Sequence, residues 1–585
     1  MSGDRQIAAD TAARESALDV SRSFIVQAPA GSGKTELLIQ RYLRLLAVVE
    51  EPEQVLAITF TRKAAQEMQL RVIAALQRAR DGDEPEPAHE RVTYASAAAV
   101  LDRSAARDWQ IVDSPARLRI ETVDAFCAGI ARTLPLSAGL GSTARIPADA
   151  DLDEVYERAA AATLDYLVED TRYGSVVERV LRHVDNHTGV YLGYLASMLR
   201  SREQWLAITG GGGVDAVDAD AMRDELQGNI ATLIERQLAD VCALAPDKLR
   251  KELPAHARYA ARNLLDAKMA EPRHLALLDM DALPGGHIAD RDAWRALADL
   301  LLTGTGTWRK QLNRNQGFPP GDQGEKKAMT ELIASLADEV ALRNALLRVR
   351  TLPDAHYSDD QWQVLLALFE LLPLAAAELR RLFSERGVTD HAQVAEAAAA
   401  AVGTDEAPGD ITMLLDYRIR HLLVDEMQDT SITQYEFLRN LTAGWTGDDG
   451  RTIFCVGDPM QSIYRFREAE VGEFLLARQK GIGNVHLEPL VLRRNFRSGE
   501  NLVHWFNTVF AQVLAPADDI ASGAIAYEES VPVDAHTGDG RVELHPLFDA
   551  DAEEEARCTL DVLKALLGNS EDQVAVLVRS RTHLS

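Results

Sequence analysis

The chain contains 585 residues, which is enough for roughly four domains of about 150 residues each. Hydrophobic residues make up 46% of the sequence and charged residues 26%, which excludes a largely disordered or low-complexity chain. The formal net charge of −28 excludes non-specific binding of polyanions by the surface as a whole, so any nucleic acid must bind at a locally basic surface.

The start of the chain and the spacing of its cysteines indicate the cellular compartment of the protein. The first residues, MSGDRQIAADTAARESALDV, lack the basic segment and apolar run of a signal peptide. The most apolar stretch, residues 364–374, contains Glu370 and Pro373, which argues against a membrane span. The four cysteines lie far apart and match no disulfide framework, iron–sulfur run or zinc ribbon. We therefore expect a soluble, cytoplasmic protein without a membrane partner.

Short apolar runs predict strands that are buried on both faces, as in a parallel sheet: residues 24–26, 55–58, 422–424, 453–456 and 574–578. Between about residues 136 and 410, apolar residues recur with helical spacing among Ala, Arg and Glu, which predicts a large all-helical insertion. Two stretches rich in glycine, residues 210–213 and 303–324, predict loops within it. The pattern indicates an α/β fold.

A phosphate-binding loop follows the first predicted strand. The sequence APAGSGKT, residues 28–35, stands between that strand and the helical pattern ELLIQRYLRLL. Glycine lets backbone N–H groups approach phosphate oxygens, Lys34 can neutralise β- and γ-phosphate charge, and Thr35 can bind Mg²⁺. A chance glycine turn is the alternative, although Ala28 is the only departure from the common pattern. We expect nucleotide contacts from Ala28, Ala30, Gly31, Ser32, Gly33, Lys34 and Thr35.

Two carboxylates follow the predicted strand at residues 422–424. A P-loop enzyme needs one carboxylate for the metal ion and another to orient water. Asp425 would hold Mg²⁺, and Glu426 would be the general base that polarises the attacking water. An isolated Asp-Glu pair is usually a solvated turn, but the apolar strand and the P-loop favour an ATPase pair.

Four further motifs occur in order with these two: VLAITFTRKAAQEM (residues 55–68), ETVDAFC (121–127), FCVGDPMQSIYRFR (454–467) and LRRNFRS (492–498). With them the chain resembles the UvrD/Rep-like superfamily 1 DNA helicases. VDEMQDTS (424–431) and the long insertion are most similar to AddA/RecB-type helicase–nuclease subunits. The resemblance implies a P-loop NTPase with a RecA-like motor domain from residues 1–135 and 411–485, an insertion at 136–410 and the beginning of a second RecA-like domain at 486–585.

The resemblance also implies roles for individual residues. Gln461 would sense the γ-phosphate, Arg497 would stabilise charge on the transferred phosphoryl group, and Phe496 would stack on adenine. Relatives often carry an adenine-reading glutamine about where this sequence has Arg14, so adenine selectivity is open. Single-stranded DNA would be contacted by Phe60, Arg62, Lys63, Thr122, Phe466 and Arg467.

Each predicted DNA-contacting residue also has an ordinary structural interpretation. Phe60 and Phe466 are also compatible with core aromatics, and Arg62, Lys63 and Arg467 with ordinary solvated charges. Their grouping within motifs of an otherwise acidic chain is how a basic DNA channel would look in the sequence.

The resemblance implies an ATP- and Mg²⁺-dependent helicase or translocase that moves 3′ to 5′ on single-stranded DNA in double-strand break repair or recombination. Its partners would be single-stranded and duplex-end DNA and an AddB/RecC-like second subunit, in the cytoplasm and at the nucleoid of a bacterium. The sequence stops at Ser585, before the last motor motifs of relatives, so we expect a fragment. The alternatives are an ATP- and DNA-binding subunit with little turnover and a P-loop ATPase unrelated to DNA.

Overall fold

The computed structural model describes residues 2–133, 145–169, 171–209, 219–321, 323–403, 409, 418–463, 470–520, 523–533, 538, 540–547, 552–566 and 574–578. The chain divides into two compact units. One consists of Met1–Leu140 and Gln393–Ser585, and the other of Gly141–Ala392. The finer division into motor domains stays a prediction.

A six-stranded parallel sheet forms the centre of the first unit. The order of its strands is β3-β2-β4-β5-β1-β6, and every neighbouring pair is parallel. The strands are β1 (Phe24–Gln27), β2 (Val55–Thr59), β3 (Arg119–Thr122), β4 (His421–Val424), β5 (Thr452–Gly457) and β6 (Glu488–Val491). Four predicted strands are thereby confirmed, and β1, β2, β4 and β5 are buried along their whole length.

Helices cover both faces of this sheet. Successive side chains of a strand point to opposite faces, so adjacent residues enter different cores. Ile25 belongs to one hydrophobic core, with Phe126 and Phe437, and its neighbour Phe24 belongs to a second core, with Leu38. The helices of the unit are α1 (Ser2–Ala17), α2 (Lys34–Leu46), α3 (Arg62–Asp81), α4 (Ala88–Arg107), α5 (Val123–Thr133), α19 (Ile432–Leu441), α20 (Val471–Lys480), α21 (Glu500–Val513) and α22 (Ala552–Leu566). The α/β fold is confirmed.

The chemical motifs all lie at one edge of the sheet. The P-loop follows β1, the Asp425–Glu426 pair follows β4, and Asp458 follows β5. Because the strands are parallel, their carboxyl ends meet at this edge, which is where open α/β sheets bind ligands.

One predicted strand is wrong. Residues 574–578 have no regular structure, and Leu577 is 94% exposed. A strand buried on both faces needs a paired strand and helices over its two faces, and no described strand pairs with this run. Beyond β6, the described chain forms a small second sheet from the parallel strands β7 (Arg494–Asn495) and β8 (Val531–Pro532).

The second unit is built of helices around two hydrophobic cores. They are α6 (Asp149–Ala162), α7 (Tyr166–Glu169), α8 (Thr171–His183), α9 (Thr188–Arg200), α10 (Glu203–Thr209), α11 (Ala219–Leu244), α12 (Asp247–Asp266), α13 (Pro272–Leu275), α14 (Arg291–Leu301), α15 (Gln323–Ala334), α16 (Val340–Arg350) and α17 (Asp359–Arg386). Helix α18 (His391–Val402) crosses the boundary between the units. Most of the loop predicted at 303–324 is confirmed, whereas residues 210–213 lie outside the described chain.

Helix α17 is 28 residues long and contains Glu370 and Pro373 within it. It is the one described helix that is long and apolar enough to cross a membrane, which is weak evidence by itself. Leu371, Ala375 and Leu379 are buried in a core of the second unit, which accounts for the apolar composition of the helix.

A buried ion pair joins the segment between α17 and α18 to the segment between α9 and α10, and a tyrosine of α6 bonds to it. Both guanidinium Nη atoms of Arg202 lie 2.7 Å from the carboxylate oxygens of Asp390, and the Tyr156 hydroxyl donates to the same carboxylate at 2.7 Å. Arg202 is 1% exposed and Asp390 4%. The pair is therefore hydrogen-bonded and removed from water.

A buried histidine makes the stability of the first unit depend on pH. His421 begins β4, and its Nδ1 lies 2.8 Å from the Thr452 hydroxyl. Burial lowers its pKa from 6.5 to about 4, and the charges of Arg41 and Arg420 add to this effect. The folded chain therefore keeps His421 neutral while the unfolded chain takes up a proton below pH 6.5.

Unfolding should consequently become easier as the pH falls from 6.5 towards 4, by up to about 3 kcal/mol from this group. Comparing urea unfolding at pH 7 and pH 5 for the wild type and His421→Asn isolates the effect, because other titrating groups are common to both proteins. The wild type should lose more stability than the variant. An equal loss in the two proteins would contradict the assignment.

Candidate active site

The loop between β1 and α2 has the conformation of an anion-binding loop. Gly31 and Gly33 have φ angles of 78° and 76°, in the left-handed region that glycine adopts without strain. Gly33 is the N-cap of α2, which begins at Lys34, so the partial positive charge of the helix N-terminus lies at the loop. The residues predicted to bind nucleotide therefore stand together at the carboxyl end of β1.

Ala28 explains how the loop departs from the common glycine pattern. Its side chain is fully buried, and its N–H donates to the Gly457 carbonyl at 2.8 Å, continuing the pairing of β1 with β5. Unlike Gly31 and Gly33, Ala28 has no positive φ, so a side chain causes no backbone strain at this position.

The acidic pair meets the P-loop lysine. Lys34 Nζ lies 2.5 Å from Glu426 Oε2, although 392 residues separate them in the sequence. Glu426 has a φ of 51°, which is uncommon for a residue with a side chain and often marks a functional position. Its N–H donates to the Asp425 carboxylate at 3.0 Å. The parallel sheet thus places the predicted general base beside the predicted phosphate ligand.

Several carboxyl groups at this edge hold their protons more tightly than usual. Burial raises the pKa of Asp425 to about 6, as does the neighbouring charge of Glu426, while Lys34 opposes the rise. The same groups act on Asp429, whose pKa is also raised to about 6, and burial raises the pKa of Asp458. Buried negative charge of this kind favours a bound cation.

The donor set fits Mg²⁺. Thr35 supplies a hydroxyl and Asp425 a carboxylate, and Mg²⁺ prefers such hard oxygen ligands. In the described residues no three His, Cys, Asp or Glu side chains converge as a metal cage. Mg²⁺ typically takes one or two protein ligands together with phosphate oxygens and water, so the predicted pair is sufficient.

The segment that forms β7 crosses the P-loop. The N–H of Phe496 donates to the Gly31 carbonyl at 2.7 Å, and the amide of Asn495 donates to the Ala30 carbonyl at 3.2 Å. A Cβ at Gly31 would lie 2.5 Å from Asn495 Oδ1, so only glycine permits this approach. Arg497 follows directly and is exposed. The predicted phosphate-stabilising arginine thus stands next to the loop.

An aromatic ring with cationic neighbours stands beside Gly33. The Phe496 ring is 44% exposed, and the guanidinium carbons of Arg14 and Arg494 each lie 5.2 Å from its centroid. A Cβ built on Gly33 would be 3.8 Å from this ring. The position suits a ring that stacks on a base whose phosphates occupy the loop.

Helix α1 contacts both the P-loop and the segment that leads into β7. Arg14 Nη2 donates to the Ser32 carbonyl at 2.6 Å, and Arg14 Nε donates to Asp10 at 2.7 Å. The other oxygen of Asp10, which is 1% exposed, accepts the N–H groups of Arg493 at 2.7 Å and Arg494 at 3.1 Å. Arg14 therefore lies at the P-loop, near the place where its sequence position suggested a base-reading residue.

Residues 9–481, about four-fifths of the chain, match the family described as the UvrD/REP helicase N-terminal domain. The chain belongs to the UvrD/REP helicase family. This membership agrees with the geometry above, because the match covers the P-loop, both acidic residues and Gln461.

Proteins named as A-type subunits of an ATP-dependent helicase/nuclease resemble this UvrD/REP chain over most of its length. One from Exiguobacterium sibiricum is 26% identical over 523 residues, which are 87% of the chain and 40% of that relative. One from Desulfitobacterium hafniense is 24% identical over 605 residues, covering 93% and 39%, and one from Geobacillus thermodenitrificans is 27% identical over 553 residues, covering 87% and 39%. The chain spans about two-fifths of the length of these relatives.

The predicted DNA residues of the UvrD/REP chain fall into three groups. Arg62 and Lys63 are exposed at the start of α3, and Phe60 is half-buried before them. Thr122 is 6% exposed, and its hydroxyl accepts the N–H of Ala125 at 3.1 Å at the start of α5. Phe466 and Arg467 lie outside the described residues. DNA contact by all of these residues stays a prediction.

Three residues at the candidate active site were not identified from the sequence: Asp10, Gln428 and Asn495. Gln428 and Asn495 stand inside quoted motifs, so their position in the sequence was a signal, but their partners come from other strands and loops. Nothing in the sequence around Asp10 points to Arg493 or Arg494. All three are 4% exposed or less, which marks them as buried polar groups with fixed partners.

Proposed function

We propose that this chain binds ATP with Mg²⁺ at the P-loop and hydrolyses it as the motor part of a DNA helicase. The observation that carries the proposal is the meeting of Lys34 and Glu426 at the carboxyl edge of the sheet. A lysine for phosphate charge and a carboxylate for water are the two side chains that phosphoryl transfer needs there. The family membership and the names of the relatives support the same conclusion.

Each residue of the site has a separate role in this proposal. Backbone N–H groups of the loop and the N-terminus of α2 hold the phosphates, and Lys34 leaves Glu426 to pair with them. Glu426 then accepts a proton from the attacking water. Mg²⁺, held by Thr35 and Asp425, would neutralise phosphate charge. Phe496 stacks on the base, and Arg497 and Gln461 respond to the γ-phosphate.

The finer assignments follow the helicase/nuclease relatives. We propose movement 3′ to 5′ on single-stranded DNA during double-strand break repair, with DNA ends as substrate and with a partner that is a second helicase–nuclease subunit. Displacement of streptavidin from biotin at either end of an oligonucleotide tests the direction of movement. Faster release from the 5′ end agrees with 3′-to-5′ movement, and faster release from the 3′ end contradicts it.

The main experiment is steady-state ATP hydrolysis by the chain with and without single-stranded DNA, beside nucleotide binding measured with a fluorescent analogue. DNA should increase turnover severalfold, and Lys34→Ala should lose both nucleotide affinity and turnover, because the phosphates lose their cationic partner. Lys63→Ala, at an exposed position on α3, should keep nucleotide affinity and reduce only the response to DNA.

The other outcomes separate the alternatives. Nucleotide binding with negligible turnover would favour a binding subunit over an active motor. Turnover that DNA leaves unchanged would favour a P-loop ATPase with another role.

A further inference from the structure

Gln428 uses both ends of its side-chain amide inside the site. Its Nε2 donates to Glu426 Oε2 at 2.9 Å and approaches Asp429 Oδ2 at 3.4 Å, while its Oε1 accepts the N–H of Asp458 at 2.8 Å. The residue is 1% exposed. One buried amide therefore connects the predicted general base after β4 with the turn after β5.

The packing around Gln428 leaves the amide little room to move. A Cβ at Gly457 would lie 2.6 Å from Gln428 Oε1, so the glycine creates the space that the amide fills. The main-chain carbonyl of Gln428 also accepts the Ser462 hydroxyl at 3.3 Å. Gly457 thus confines the amide, and Ser462 holds the main chain of the same residue.

Glu426 depends on this amide once nucleotide arrives. Its carboxylate has two described side-chain partners, Lys34 and Gln428. Lys34 must turn to the phosphates when ATP binds, which leaves the Gln428 amide as the remaining described side-chain partner of the carboxylate. A misplaced general base loses rate steeply, because a displacement of about 1 Å can cost about 10²-fold.

The other end of the amide holds the turn that carries Gln461. The Asp458 carboxylate accepts the N–H of Met460 at 3.1 Å and the side-chain amide of Gln461. Gln461 is the predicted γ-phosphate sensor, and Phe466 and Arg467 are predicted DNA contacts a few residues further along the chain. A shift of this turn therefore displaces the Gln428 amide, which also bonds to Glu426.

We propose that Gln428 is a positioning residue. It holds Glu426 for water activation and transmits movement of the Asp458–Gln461 turn to Glu426. The proposal rests on the proposed ATPase function and deepens it. DNA bound near the turn then changes the rate of hydrolysis through Gln428 without changing how tightly ATP binds.

The test compares Gln428→Met with the wild type in ATP hydrolysis, using single-stranded oligothymidylate as the DNA. We expect kcat to fall about 10- to 100-fold and the stimulation by DNA to disappear, because the carboxylate loses its donor. KM for ATP and the Kd of a non-hydrolysable analogue should change less than twofold. Gln40→Met is the matched control, because Gln40 is also buried but bonds to His89 and Thr93 on α4.

A second variant separates positioning from mere structural damage. In Gln428→Glu the introduced carboxyl lies beside Glu426 and Asp429, so its pKa rises, and its protonated form donates as the amide does. The ratio of variant to wild-type kcat should therefore increase as the pH is lowered from 8 to 6. A structural defect would leave this ratio unchanged.

The outcomes distinguish the two proposals. Wild-type turnover together with a Gln428→Met variant of normal kcat and normal DNA stimulation would overturn the role of Gln428 alone. Equal losses in Gln428→Met and Gln40→Met, or a pH-independent ratio for Gln428→Glu, would overturn it as well. A wild-type chain that binds ATP but shows no turnover would overturn the proposed function and this inference together.

Discussion

Glu426→Gln should reduce ATP turnover by about 10²- to 10⁴-fold, the usual contribution of a general base. The substituted amide keeps the size of the side chain but cannot take the proton of the attacking water. ATP should bind at least as tightly as it does to the wild type, because Lys34 no longer has to leave the carboxylate that lies 2.5 Å away. Single-turnover hydrolysis and equilibrium nucleotide binding measure the two effects separately.

A matched control for this variant is Glu67→Gln on α3. Glu67 also pairs with a cation, Arg71, but its side chain is 51% exposed, and such surface pairs contribute about 0–1 kcal/mol. It should leave turnover and nucleotide affinity unchanged. Normal turnover by Glu426→Gln would show that another group activates the water.

Asp390→Ala should destabilise the second unit by about 3–5 kcal/mol, because it removes the carboxylate that pairs with the buried charge of Arg202. The Tyr156 hydroxyl loses its acceptor in the same variant. Hydrogen exchange of peptides from α6, α9 and α17 in the full chain reports on this unit directly, and their protection should fall. Glu178→Ala, which removes an exposed pair with Arg182, should change protection little.

The double variant Arg202→Met with Asp390→Leu distinguishes the loss of one charge partner from a general failure to fold. Replacing both members of a buried pair by apolar residues is often neutral or stabilising, so much of the lost protection should return. If the double variant is as damaged as Asp390→Ala, the loss comes from packing and not from removal of one member of the ion pair.

The features that were predictable from the sequence are local ones. The P-loop is a contiguous stretch between a strand and a helix, so its glycines and Lys34 carry their own conformational information. Four strands were predictable because runs of apolar residues mark chains buried on both faces. The run at residues 574–578 has the same composition but is no strand, because composition does not supply neighbouring strands.

The candidate site residues could be named from the sequence, whereas their contacts could not. Asp425 and Glu426 follow an apolar strand, but the sequence does not state that Lys34 lies beside them. Gln428 was visible as a letter inside DEMQD, yet its role depends on Asp458 and Gly457, about thirty residues further along. The bond from Asp10 to the Arg493 and Arg494 backbone spans more than 480 residues and has no local signal.

The sequence by itself determined the class of fold and the residue types of the candidate phosphate site, because apolar runs and glycine loops act over a few neighbouring residues. The order of its motifs pointed to the family. The tertiary structure alone decided which of those residues meet. The strand order β3-β2-β4-β5-β1-β6 brings the ends of β1, β4 and β5 to one edge, so Lys34, Glu426 and Asp458 share a site. The physical reason is that such contacts depend on the pairing of distant strands, which is set by the packing of the whole sheet between two layers of helices.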